Sequence, residues 1–133
     1  MGKNEQIKYW IQSADEDWET ALALFELKRY LHTLFLLHLV IEKLLKANWI
    51  LDNFGNIPPF THNLEQIYNE TNMELSPEDV DFIRSLSAWN IEGRYPDYKN
   101  KLHRMATREY TLDKLEKVKK LRLCLLGRLS SIS

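Results

Sequence analysis

Residues Leu31 to Asp52 constrain the fold more than any other part of the chain. Leu31, Leu34, Phe35, Leu36, Leu37, Leu39, Val40, Ile41, Leu44, Leu45, Ala47, Trp49, Ile50 and Leu51 leave almost no polar side if the segment is wound as a helix. A helix that is apolar all round is buried at the centre of a domain, or is shared between a core and a subunit interface. It does not read as a membrane span: its most apolar run, Leu34 to Ile41, is interrupted by His38 and falls far below the roughly 20 residues that a span needs. The segment therefore needs other helices around it. With 133 residues, the chain has room for one domain, taken as residues 1–133.

Those partner helices can be read from apolar spacing. Glu5 to Lys28 carries Ile7, Trp10, Ile11, Ala14, Trp18, Ala21, Leu22 and Phe25 at steps of three and four, with Asp15, Glu16, Asp17 and Glu19 on the opposite side. Phe54-Gly55-Asn56-Ile57-Pro58-Pro59 stops the central helix. Thr61 is the expected cap of a short helix from His62 to about Glu70. Ser76-Pro77-Glu78-Asp79 is a stronger start signal, with a capping hydroxyl, proline at the first helical position and two acids at the positive end of the dipole. That helix is expected to reach Trp89 or Asn90. A loop follows over Ile91 to Tyr98, and a last helix runs from about Thr107 to Leu129. No stretch sustains a period of two. The fold class predicted is all-α, an up-and-down antiparallel bundle of four to five helices.

Charge is unevenly distributed. The net charge of −1 divides into −8 for Met1 to Tyr98 (eight Lys/Arg against sixteen Asp/Glu) and +7 for Lys99 to Ser133 (ten against three). The basic third is either a solvated helix face or a surface for phosphate or an acidic partner. One cysteine excludes an intramolecular disulfide and an all-cysteine metal site, and fits a reducing compartment. Cys124 itself, set among leucines, reads as a core thiol. The start of the chain shows no leader pattern, so the expectation is a soluble, cytoplasmic protein with no membrane association.

Chemistry is concentrated at three places. His38, Glu42 and Lys46 stand at i, i+4 and i+8 on the apolar helix, one stripe that is either a buried ion pair or the lining of a polar cleft. No second histidine completes an HExxH pattern, so zinc is not indicated. His62 follows Thr61 at a helix start, as a first-turn residue or a site residue. Arg94-Tyr95-Pro96-Asp97 combines a planar guanidinium fork, an aromatic face and a stiffened turn, suited to phosphate and base. It reads equally as a capping loop in which Arg94 pairs with Glu42 or Asp97. Walker, GxGxxG, GxSxG and CxxC patterns are absent, and nothing calls for a cofactor.

Taken in order, Ala14-Asp15 and Asp17, His38 with Glu42-Lys43-Leu44-Leu45-Lys46-Ala47, Thr61-His62-Asn63-Leu64, and Arg94-Tyr95-Pro96-Asp97 resemble the HEPN family (higher eukaryotes and prokaryotes nucleotide-binding), in its Arg-Tyr-Pro loop type. The resemblance implies a helical bundle, commonly homodimeric, that binds nucleotide or RNA. It also implies a minimal nucleotidyltransferase protein as partner in a toxin–antitoxin-like pair. The ligand-binding residues it points to are His38, Glu42, Lys46, His62, Arg94, Tyr95 and Asp97. Ribonuclease members carry an Arg followed after four to six residues by a His. Here eight residues separate Arg94 from His103, so no catalytic residue is assigned and His103 stays a candidate. The alternatives are a metal-independent endoribonuclease using Arg94 with His103 or His62, and a structural dimerisation module without ligand.

Overall fold

The computed structural model describes residues 2–90 and 96–130, with backbone alone for residues 90 and 96–100. Among the described residues there are six α-helices and no strand: α1 (Lys3–Glu26), α2 (Tyr30–Asp52), α3 (Leu64–Asn69), α4 (Pro77–Leu86), α5 (Pro96–Met105) and α6 (Arg108–Leu129), with a 3₁₀ turn (Ser87–Asn90) after α4. The all-α bundle is as the apolar spacing predicts, with six helices where four to five were expected.

The hub is α2, which packs against α1, α6, α3 and the 3₁₀ turn. Leu34, Leu37, Val40, Ile41, Leu44, Leu45 and Ile50 are fully buried along it. Removing one such side chain, as in Leu44→Ala, costs about 2–5 kcal/mol from lost transfer energy and the cavity left behind. Against it α1 contributes Ile7, Ala14, Trp18 and Ala21, and α6 contributes Leu115, Val118, Leu121, Leu125 and Leu129. Ile7 near the start of α1 meets Ala47 and Ile50 near the end of α2 and Leu129 at the end of α6. Thus α1 runs antiparallel to both, and α2 and α6 run side by side in the same direction.

The turn between α1 and α2 is three residues long, and its chain path explains its tightness. Lys28 adopts φ 62°, in the left-handed region. Its N–H reaches Phe25 O at 2.9 Å, while Arg29 N–H reaches Leu24 O at 2.8 Å. That pair of bonds closes the helix end in the manner that glycine ordinarily serves.

Several local expectations are corrected. The cap of α3 is Asn63, whose side chain accepts from Gln66 N–H at 3.1 Å; Thr61 instead accepts from Asn63 N–H, so the helix begins two residues later than expected. The start of α4 is as read, with Ser76 Oγ accepting from Asp79 N–H at 3.1 Å and Pro77 opening the helix. The loop expected over Ile91 to Tyr98 gives way at Pro96 to α5, whose Leu102 enters the core. Cys124 is exposed, not a core thiol: α6 turns Leu121 and Leu125 inward, which carries position 124 to solvent.

Candidate functional site

Three of the predicted residues lie where their spacing put them, on one buried face of α2. His38 is fully buried, Glu42 nearly so, and Lys46 keeps 8 % of its surface. The loop from Asn53 to Asn63 brings the fourth, His62, onto the same face from twenty positions further along the chain.

Glu42 is the centre of the cluster. Its Oε1 accepts from His62 Nδ1–H at 2.8 Å and its Oε2 accepts from Lys46 Nζ at 3.1 Å. A buried carboxylate with no partner is costly, and these two donors make it tolerable. Lys46 also lies 5.4 Å from the centroid of the Trp10 ring, so its ammonium is flanked by a carboxylate and an aromatic face.

His38 fixes the loop by its backbone. Its Nε2 lies 3.1 Å from His62 O, and since a carbonyl can only accept, Nε2 carries the proton. Burial pushes the His38 pKa below its ordinary value, outweighing the attraction of Glu42. The neutral ring then leaves Nδ1 without a hydrogen-bond partner. The 3.8 Å approach of Nδ1 to Glu42 Oε1 is within ion-pair range but is not an ion pair while the ring is neutral.

His62 is therefore held twice, by its carbonyl on His38 and by its Nδ1–H on Glu42. Its side chain remains 61 % exposed. In the neutral imidazole the bond to Glu42 assigns the proton to Nδ1 and leaves the lone pair on Nε2. The arrangement can hold a ligand group at a fixed point or take a proton from it. Sequence spacing could not reveal this pairing, because Glu42 and His62 are joined only by the fold. Trp10 likewise falls at core spacing in the sequence, and its place beside Lys46 has no sequence signal.

The remaining predicted residues are not brought to this cluster by anything described. Arg94 and Tyr95 lie outside the described residues, and Asp97 is the second residue of α5, with its side chain outside them. His103 stands exposed in the last turn of α5 and has no hydrogen bond or ion pair to the cluster. A groove of about 580 Å³ lies elsewhere, lined from α4 by Glu78, Asp81 and Phe82 and from α6 by Lys114, Lys117 and Lys120. None of the predicted site residues lines it. Among the described residues no set of three His, Cys, Asp or Glu converges as a metal site.

A second polar cluster closes the far end of α2. Asn48, fully buried, donates to Leu44 O and accepts from Arg128 Nη1 at 3.0 Å, while Arg128 Nη2 reaches Asp52 Oδ1 at 2.9 Å. This network joins the ends of α2 and α6 and fixes their register.

No curated protein and no solved structure matches the chain. The family model described as the HEPN domain matches residues 7–128, from near the start of α1 to the last turn of α6. With the match running through the whole bundle, including the buried stripe of α2 and the His62 loop, the chain belongs to the HEPN domain family.

Proposed function

We propose that this chain is a nucleotide- or RNA-binding helical module that works with a minimal nucleotidyltransferase in a toxin–antitoxin-like pair, as a cytoplasmic homodimer. Membership in the HEPN family favours a nucleotide- or RNA-binding module. The observation that carries the site assignment is Glu42: a carboxylate buried on the most apolar helix, holding the exposed imidazole of His62 at 2.8 Å. A bundle gains little stability from such a group, since apolar side chains of similar volume pack as well or better. In this reading His62 touches the ligand, Glu42, Lys46 and His38 position it, and Arg94, Tyr95 and Asp97 complete the site with a phosphate fork, an aromatic face and an acceptor. Binding of labelled ATP and of short RNA to wild type, His62→Ala and Arg94→Ala tests it. Loss of binding in both variants, with the helical signal intact, is the expected outcome. Wild-type affinity in both would remove the site assignment. Copurification with a nucleotidyltransferase encoded beside it tests the partner.

A second reading is favoured by the same imidazole. A carboxylate on Nδ1 with the lone pair left on Nε2 is the arrangement of a general base, which suits removal of a proton from a ribose 2′-hydroxyl. RNA cleavage in EDTA that is lost in His62→Ala and retained in His103→Ala would establish that endoribonuclease. Absence of cleavage by the wild type would set it aside.

A further inference from the structure

The groove between α4 and α6 is lined by charges of both signs that do not meet. Glu78, Asp79 and Asp81 stand along its α4 lip, and Lys114, Lys117 and Lys120 along its α6 lip. Phe82, almost buried, gives it an aromatic wall. Among the described residues no ion pair crosses it. Lys114 and Lys117 turn to Asp113 on their own helix, at 3.6 and 3.2 Å, and each lies 6.0 Å from the centroid of the Phe82 ring. Asp81 pairs with Arg84, also on its own helix, at 3.1 Å. Glu78, Asp79 and Lys120 have no ion pair among the described residues.

The charges on the two lips restrict what can cover them. Carboxylates along one lip repel a polyanion, and ammonium groups along the other repel a polycation. No buried polar atom left without a partner belongs to a residue lining the groove, so nothing inside it calls for a small ligand. A covering surface must therefore carry bases opposite α4 and acids opposite α6. A second copy of this chain does so by symmetry. A two-fold axis running along the groove exchanges its lips, so each copy's α4 faces the other's α6 and every contact occurs twice. An axis across the groove would set like charges face to face, so the same charges also select the orientation.

We infer that the α4–α6 groove is a self-complementary interface through which two copies of this chain pair, the acidic lip of each meeting the basic lip of the other. The inference rests on the homodimer reading above and names the surface that dimer uses. It is tested by analytical ultracentrifugation of wild type and two charge-reversed proteins. Glu78→Lys with Asp81→Lys turns the α4 lip basic, and Lys117→Glu with Lys120→Glu turns the α6 lip acidic. All four positions are exposed, so the reversals leave the fold intact, as circular dichroism would check. Each reversed protein is expected to dimerise at least about a hundredfold more weakly than wild type, because like charges then face each other. An equimolar mixture of the two is expected to pair again, and so is a single chain carrying all four reversals. The wild-type dimer should weaken at least about tenfold between roughly 0.05 and 0.5 M salt. A wild-type dimer that the reversals leave unchanged, or reversed proteins that stay monomeric when mixed, overturns the inference while leaving the homodimer standing on another surface. Wild type that is monomeric even at low salt overturns both.

Discussion

Removing the charges of Glu42 and Lys46 together should leave the protein nearly as stable as before, whereas removing either alone should not. The two side chains are 5 % and 10 % exposed and their charged atoms are 3.1 Å apart. At an effective dielectric of about 20, the attraction at that distance is about 5 kcal/mol, most of which offsets the desolvation of the two ions. Lys46→Met leaves Glu42 buried with His62 as its remaining donor, and Glu42→Leu leaves the Lys46 ammonium with the Trp10 face. Breaking a buried pair costs about 3–5 kcal/mol, and these residual partners place each single change near 3 kcal/mol. The double change leaves no stranded charge and should fall within about 1 kcal/mol of wild type, so the pair is strongly coupled in a double-mutant cycle. Urea unfolding followed by circular dichroism would read this as midpoint shifts of about 2 M for each single variant, for a slope near 1.5 kcal/mol per M. The stable double variant should have lost nucleotide binding, because His62 no longer has its carboxylate. A double variant as unstable as the sum of the singles would refute the reasoning and make the stripe a structural device.

Other consequences concern single positions. His38 is held below its ordinary pKa of 6.5 by burial, so the unfolded chain binds its proton first. Its contribution is complete above about pH 6.5 and is lost as pH falls below that value toward the folded pKa, with a slope of up to about 1.4 kcal/mol per pH unit; urea midpoints between pH 7.5 and 5 should flatten in His38→Gln. Lys28 is a non-glycine residue in the left-handed region, so Lys28→Gly should raise stability by about 1 kcal/mol, seen as a higher melting temperature. Cys124 is exposed, so the native protein should react with a thiol reagent as fast as the unfolded chain; protection would contradict the orientation of α6.

The sequence showed most where periodicity and chemistry agree. The all-round apolar pattern of Leu31 to Asp52 identified the central helix, and the four-residue spacing of His38, Glu42 and Lys46 put them on one face. Ser76-Pro77 marked α4 to the residue. The signal failed where two candidates competed: Thr61 and Asn63 both cap well, and the fold chose Asn63 because Thr61 accepts within the turn. It also failed for α5, where Lys99, Lys101, His103 and Arg104 conceal a helix that Pro96-Asp97 would have announced as a proline and an acid in a first turn. The Glu42–His62 contact was beyond reach, since it depends on how a loop folds back across α2.

The most direct test of a Glu42-held His62 at the ligand site is long-range proton–nitrogen correlation of the histidine rings. The free protein should show His62 in the Nδ1–H tautomer, and a short oligoribonucleotide should move its Nε2 resonance in step with binding. An Nε2–H tautomer in the free protein, or a His62 ring untouched while the oligonucleotide binds, would contradict the account.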